Sequence, residues 1–208
     1  MKDRKLLNRE LGRITPSEYV TTRPSSGIVL VLDNVRSAHN VGSAFRTADA
    51  FGVDKVYLGG ICPVPPSAEL RKVALGAEEV VPSEHVDDVV ALVRQLQADG
   101  YTVIAVEQTE NSVKLNTFRR EPGVKYALIF GNEVDGVQQT VVDAADYALE
   151  IPQKGTKHSL NVSVSIGVVL WALVQTVNCQ ATAELGLKPG GLWRHDIAGV
   201  GNVDELVH

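Results

Sequence analysis

The chain has 208 residues, 44% of them hydrophobic, enough to bury the full core of a single α/β domain. A formal charge of −5 and a pI near 5.5 exclude a histone-like or tail-driven nucleic-acid binder, whose affinity comes from neutralising many phosphates. Cys62 and Cys179 match no metal-ligand or disulfide spacing, and no stretch approaches the roughly 20 apolar residues that span a bilayer, so a soluble protein in the reducing cytoplasm is expected.

Residues 1–24 carry Lys2, Arg4, Lys5, Arg9, Arg13 and Arg23 against Asp3, Glu10 and Glu18, a locally basic segment on an acidic chain. Within it, Thr15-Pro16-Ser17-Glu18 reads as a capping box with proline at the first helical position, so a short helical extension is expected ahead of the core. Apolar runs of strand length follow at 27–33, 55–60, 78–82, 101–108, 126–131 and 147–152. Several are apolar on nearly every residue, as strands buried on both faces are. Helical patterns lie between them. One runs from about Asn40 to Phe51. Another spans 84–98, where Val86, Val89, Val90, Val93 and Leu96 recur at helical spacing, with Ser83 suited to cap the start and Gly100 the end. A third runs from about Asn161 to Asn178. The alternation predicts an α/β fold over 25–180, a mostly parallel sheet flanked by helices. The segment 62–67 (CPVPPS) is a compact loop, and 181–208 is glycine-rich and aperiodic, expected as a loosely ordered tail.

Three polar clusters interrupt this pattern. In "HNVGSAFR" (39–46), if Asn40 caps its helix, Gly42 and Arg46 lie four residues apart on one face. Arg46 then leans over position 42, where the missing side chain leaves a groove toward the positive helix end, an arrangement suited to a phosphate. The same residues equally serve as an Asn cap, a glycine for close packing and a surface arginine. In "IFGNEVDGV" (129–137), Glu133 stands on a glycine-flanked turn after a buried strand, where parallel sheets collect ligands, or is a solvated acid on an ordinary turn. In "IPQKGTKHSLNVSVSIGVVLW" (151–171), a polar loop leads to Ser159 and Asn161, either of which can cap the following helix. On that helix Val164, Gly167, Val168 and Trp171 form a stripe that core packing or a dimer contact would explain. His39 and His158 flank the motifs and read as loop or surface residues. No His, Cys and carboxylate set stands at metal spacing, so no metal is expected.

Taken in order, "NVGSAFR" (40–46), "FGNEVDGV" (130–137) and "IPQKGTKHSLNVSVS" (151–165) closely resemble the motifs of the SpoU, or TrmH-like, class of SPOUT RNA methyltransferases. "KVALGAEEVVP" (72–82) is similar to the segment these enzymes carry between their first two motifs, and the resemblance covers roughly Gly27 to Val177. It implies a C-terminal trefoil knot, an exception to the rule that chains are unknotted. It implies S-adenosylmethionine held against the backbone of loops at Val106, Gly131, Ile151 and Leu160. It implies methyl transfer to a ribose 2′-hydroxyl of RNA, with transfer RNA favoured over ribosomal RNA. By the same match Arg46 is the catalytic arginine, Asn40, Glu133, Ser159 and Asn161 surround it, and the enzyme is a homodimer with its site at the subunit boundary.

The chemistry agrees with that assignment, because in-line methyl transfer needs alignment and a route for the hydroxyl proton. A guanidinium is a poor proton acceptor, so for Arg46 a role in anchoring the neighbouring phosphate and steadying the developing alkoxide is preferred over a direct base role. Three rival readings remain. One is a knotted dimer that binds RNA as an assembly factor without turnover, against which the intact motif residues speak. Another is a dinucleotide-dependent oxidoreductase, for which "LDNVRSAHNVG" lacks the G-x-G-x-x-G turn. The third is base methylation within the same superfamily.

Overall fold

The computed structural model describes residues 4–7, 10, 15, 17–19, 25–157 and 159–184, the last ten of these by backbone alone. The elements are β1 (Ile28–Asp33), α1 (Ala38–Phe51), β2 (Lys55–Gly59), α2 (Ala68–Ala74), α3 (Ala77–Val80), β3 (Ser83–Val86), α4 (Val89–Ala98), β4 (Tyr101–Val106), β5 (Val113–Lys114), β6 (Lys125–Phe130), α5 (Gln139–Ala144), β7 (Tyr147–Glu150) and α6 (Val162–Glu184). Among the described residues the strands form one sheet in the order β3-β2-β1-β6-β4-β7-β5. Every pairing between neighbours is parallel, with Leu30 level with Val56 on one side and Leu128 on the other. The expected α/β architecture is therefore present.

Strand periodicity divides the core between the two faces of this sheet. Ile28, Leu30 and Leu32 of β1 join Leu128 and Phe130 of β6 on the face covered by Val41 and Phe45 of α1, Leu70 of α2, and Ile166 and Leu170 of α6. The alternate residues Val29 and Val31, with Val103, Ala105, Ala127 and Ile129, pack against Val89, Val93 and Leu96 of α4 and Val141 of α5. Because β1, β4 and β6 face apolar layers on both sides, their central residues are apolar in unbroken runs, 28–32, 103–106 and 126–130, that lead to the carboxyl ends where the site begins.

Four sequence expectations shift. The run at 78–82 is no strand: α3 occupies Ala77–Val80, Val81 is buried, and the edge strand is Ser83–Val86, paired with β2. The helix expected over 84–98 consequently begins at Val89, capped by Asp88, whose carboxylate accepts the Ala91 amide at 2.9 Å, so Ser83 and Val86 belong to the strand. Gly100 does follow the helix end, at φ +80°, and its amide donates to the Gln97 carbonyl. Third, α1 begins at Ala38, not Asn40, because Ser37 is its cap. Finally, α6 runs through Glu184, past the Asn178 at which the apolar pattern fades.

Of the N-terminal extension, Ser17–Tyr19 are helical. The capping box forms there: the Thr15 amide donates to Glu18 at 2.8 Å and the Glu18 amide to the Thr15 hydroxyl at 3.3 Å. Most of residues 1–24, and 185–208 of the expected tail, lie outside the described residues. No described helix is long and apolar enough to cross a membrane.

Candidate active site

A cavity of about 600 Å³ opens at the carboxyl ends of β4, β6 and β7. The four residues that the resemblance implies for cofactor contact, Val106, Gly131, Ile151 and Leu160, all line it, as do Glu133, Ser159 and Asn161. They come from three separate strand ends and the start of α6, so the sheet topology brings these distant motifs to one rim.

The turn after β6 is pinched into a closed loop. Asn132 and Gly136 exchange both backbone hydrogen bonds, at 3.0 and 3.1 Å. Inside the loop the Asn132 side-chain oxygen accepts the amides of Val134 and Asp135, both at 2.9 Å. Gly131 is required for the pinch, because a Cβ there would lie 1.8 Å from the Gly136 carbonyl carbon.

Glu133 projects from this loop onto the start of α1. Its carboxylate accepts Asn40 Nδ2 at 2.7 Å and the amides of Arg36 and Ser37 at 3.3 Å each. Burial pushes its pKa up, but the Asn40 side chain and the backbone amides outweigh that and hold it below the ordinary carboxylate value. The positive end of α1 thus already has its anion, supplied by the protein.

Asn40 is buried in the first turn and is not the cap. Ser37, extended at φ −79° and ψ 114°, precedes the helix and accepts the Asn40 amide at 3.3 Å, leaving the Asn40 side chain free to bridge. Its Nδ2 reaches Glu133, and its Oδ1 accepts Asn161 Nδ2 at 3.2 Å. Asn161 is in turn the cap of α6, its side-chain oxygen accepting the Ser163 amide at 2.9 Å and its carbonyl the Ser165 amide at 2.9 Å. Glu133, Asn40 and Asn161 therefore form one hydrogen-bonded chain joining the β6 loop, α1 and α6. Ser159 lines the cavity without a hydrogen-bond partner among the described residues.

Arg46 is not part of that network. It is exposed on α1, makes no hydrogen bond or ion pair among the described residues, and does not line the cavity. The groove expected above Gly42 is absent too. Gly42 is buried against α2, where a Cβ would meet the Leu70 carbonyl oxygen at 2.8 Å and Val73 Cβ at 2.9 Å. Gly42 serves close helix–helix packing, not a path for the arginine. His39 is exposed, and His158 lies outside the described residues. The stripe on α6 faces away from the core: Val164, Val168 and Trp171 are 50%, 38% and 52% exposed, while Ile166, Val169, Leu170 and Leu173 fill the interior. Packing within the chain covers only about half of these three residues.

The sequence reading overlooked three carboxylates on the same rim. Asp33 ends β1 and is fully buried, accepting the Gln138 amide and Nε2 and Asn34 Nδ2, all at 2.8 Å. Glu107 directly follows β4, and Glu150 ends β7 and is held by Ser112 at 2.6 Å and by Lys114. Each is the first acid after an apolar run, and that shared position at the carboxyl ends of parallel strands of one sheet is the signal that marks them.

The model of the SpoU rRNA Methylase family matches residues 27–171. A 23S rRNA (guanosine-2′-O-)-methyltransferase of Haemophilus ducreyi is 37% identical over 171 residues, covering 80% of this chain and 67% of that protein. The chain spans about three fifths to two thirds of the length of the curated rRNA methyltransferases that it matches. Among solved structures, a TrmH/SpoU tRNA modifying enzyme of A. aeolicus superposes with a TM-score of 0.70 at 25% identity, covering 87% of this chain and 88% of that one. An AdoMet-bound rRNA methyltransferase of Sinorhizobium meliloti superposes with a TM-score of 0.66 at 28% identity, covering 72% and 56%.

Proposed function

The chain belongs to the SpoU rRNA methylase family, and from that premise we propose that it is an RNA methyltransferase that transfers a methyl group from S-adenosylmethionine to a ribose 2′-hydroxyl. The observation that carries this reading is the convergence of Val106, Gly131, Ile151 and Leu160 on one cavity bordered by the Glu133–Asn40–Asn161 network. Ribosomal RNA takes the place of the transfer RNA that the sequence favours, because the relative at 37% identity is named for 23S rRNA and a guanosine ribose.

The cavity suits the cofactor. At about 600 Å³ it lies within the roughly 300–1,000 Å³ of small-molecule sites. Its lining pairs an apolar wall of Val106, Leu149, Ile151 and Leu160 with the acceptors Glu107, Glu133, Asp135 and Glu150, and among the described residues includes no Lys or Arg. That combination fits a purine, ribose hydroxyls and a cationic sulfonium with its ammonium. When bound there, S-adenosylmethionine supplies an electrophilic methyl whose bond to sulfur breaks as the new bond to the ribose oxygen forms.

The residues of the chain align this displacement and manage its charge. Glu133, held ionised by Asn40 and by the Arg36 and Ser37 amides just ahead of α1, fixes the loop that carries Gly131. Asn161 ties the start of α6, and with it Leu160, to the same network. Ser159 presents a hydroxyl to the cavity, where it can meet RNA. Arg46 anchors the phosphate next to the reacting ribose and steadies the developing alkoxide, while that phosphate or water takes the proton. Because Arg46 lies outside the cavity of its own chain, the reading includes a homodimer in which Arg46 of one copy faces the cavity of the other. The exposed stripe Val164, Val168 and Trp171 supports such a contact. A trefoil knot, in which the segment from β7 to α6 threads past the β6 loop, is part of the same reading, supported by the shared lining from 131–136 and 159–162.

Mapping ribose methylation across total RNA from a deletion strain and its parent tests the proposal. Loss of one 2′-O-methyl site in ribosomal RNA, restored by the gene, is expected. An unchanged methylation map would overturn it in favour of an assembly role, and a lost base methyl would move the chemistry off the ribose.

A further inference from the structure

The segment leaving the β6 loop is gripped from both sides. Val137 and Gln138 follow the loop, and each gives its amide to a carboxylate from the carboxyl end of a strand that flanks β6. The Gln138 amide goes to Asp33 of β1 at 2.8 Å, and the Val137 amide to Glu107 after β4 at 3.0 Å. Asp33 is fully buried and outside the cavity, whereas Glu107 is half-buried and lines it. The other Glu107 oxygen accepts the Gln108 amide at 2.8 Å, so two amides fix the carboxylate itself.

Two glycines carry this grip to the site. Gly136 stands at φ +70°, and a Cβ there would come within 2.1 Å of Glu107 Oε2, so the carboxylate approaches only because position 136 has no side chain. Gly131 lies against the amide that Glu107 holds, its own Cβ position falling 2.0 Å from Val137 N. A drift of Val137 is therefore felt at Gly131, and Glu107 links the wall that contains Val106 to the loop that contains Gly131.

We propose that Glu107 is a positioning residue for the cofactor, holding the 131–137 loop against the end of β4 at the spacing that S-adenosylmethionine requires. The proposal rests on the methyltransferase reading above. Removing the carboxylate frees the Val137 amide and lets the loop move, which weakens cofactor binding while leaving Arg46 and the acceptor ribose undisturbed.

The test is calorimetry with S-adenosylhomocysteine on full-length wild type, Glu107→Ala and Glu107→Gln, alongside thermal melts and steady-state kinetics on the RNA substrate. Glu107→Gln keeps the shape and one acceptor but turns an amide donor toward one of the two N–H groups, so it covers the case in which Glu107→Ala fails to fold. The expectation is at least tenfold weaker binding for Glu107→Ala, an intermediate loss for Glu107→Gln, and a raised KM for S-adenosylmethionine with kcat within about threefold of wild type. Folded variants that bind within twofold of wild type, or that lose kcat at unchanged KM, would overturn the role of Glu107. Failure of the wild type itself to bind would instead overturn the methyltransferase reading.

Discussion

On the cavity side of the site the chain itself supplies the donors to three carboxylates: Glu133 takes three, Asp33 three and Glu107 two, each at the end of a strand or on the loop between. On the α1 side Arg46 stands exposed without a partner among the described residues, and Val164, Val168 and Trp171 of α6 are partly exposed to solvent. Asp33 is buried, where an unmet carboxylate would be costly, whereas an exposed group such as Arg46 can wait for a ligand. On the proposed reading, the contrast separates a ligand pocket built by one chain from a transfer apparatus that RNA and a second copy would complete.

The sharpest way to break that separation is Arg46→Ala. Methyl transfer should fall on the order of a thousandfold, the scale of a lost transition-state donor. Affinity for S-adenosylhomocysteine should stay within about threefold, less than roughly 1 kcal/mol. Arg46→Lys should restore little, because one ammonium cannot both hold a phosphate and reach an oxyanion as a planar fork does. A parallel loss of cofactor affinity would show that the two halves are one.

A charge on the open stripe comes next. Trp171→Glu should turn a dimer into a monomer of the 22.4 kDa chain mass by light scattering and lower activity by at least about tenfold, with cofactor affinity kept. An active monomer would place the whole reaction within one chain. Trp171 also meets Phe51 edge-on at 6.3 Å, so a melt must confirm that the variant is folded.

Gly42→Ala probes the boundary between the halves. The added methyl would press on the Leu70 carbonyl oxygen and Val73 Cβ, atoms whose positions the α2 backbone fixes, at a cost of about 1–3 kcal/mol. Alanine's better helix propensity returns up to about 1 kcal/mol of that. A lowered melting temperature with near wild-type activity per folded molecule is expected. Activity lost without stability would restore the groove that the sequence suggested beside Arg46.

How far the sequence was readable follows from the distances over which its signals act. β1, β4 and β6 announce themselves because they are apolar toward two layers. β3 (SEHV) does not, being a polar edge strand, and the short apolar run before it belongs to one turn of helix. The motifs around Asn40, Glu133 and Asn161 were legible as clusters, and the structure joins them. The packing role of Gly42 was not, since its partner α2 is only seven residues long and too short to show a periodicity. The roles of Asp33 and Glu107 depend on amides 105 and 30 residues away, a pairing that only the fold creates.

The smallest expected effect lies in the pH dependence of Glu133, and it tests whether the cavity side is held by charge. The folded-state pKa of Glu133 is depressed below 4.5, with burial opposing the shift and the bonds from the Asn40 side chain and backbone amides, those of Arg36 and Ser37 among them, overcoming it. A depressed carboxylate adds stability that is present above its unfolded pKa and is lost as pH falls through its lower folded pKa. Glu133→Gln should therefore melt below wild type at pH 7. Because Glu133 is largely exposed, solvent screening limits the deficit to roughly 3 °C. The deficit should shrink as the pH drops below 4.5, where the wild-type carboxylate takes up its proton and loses the charge that holds the start of α1. Melts across that range decide the matter: a gap that stays constant from neutral to acid pH would mean that hydrogen-bond geometry, not charge, ties the loop to the helix.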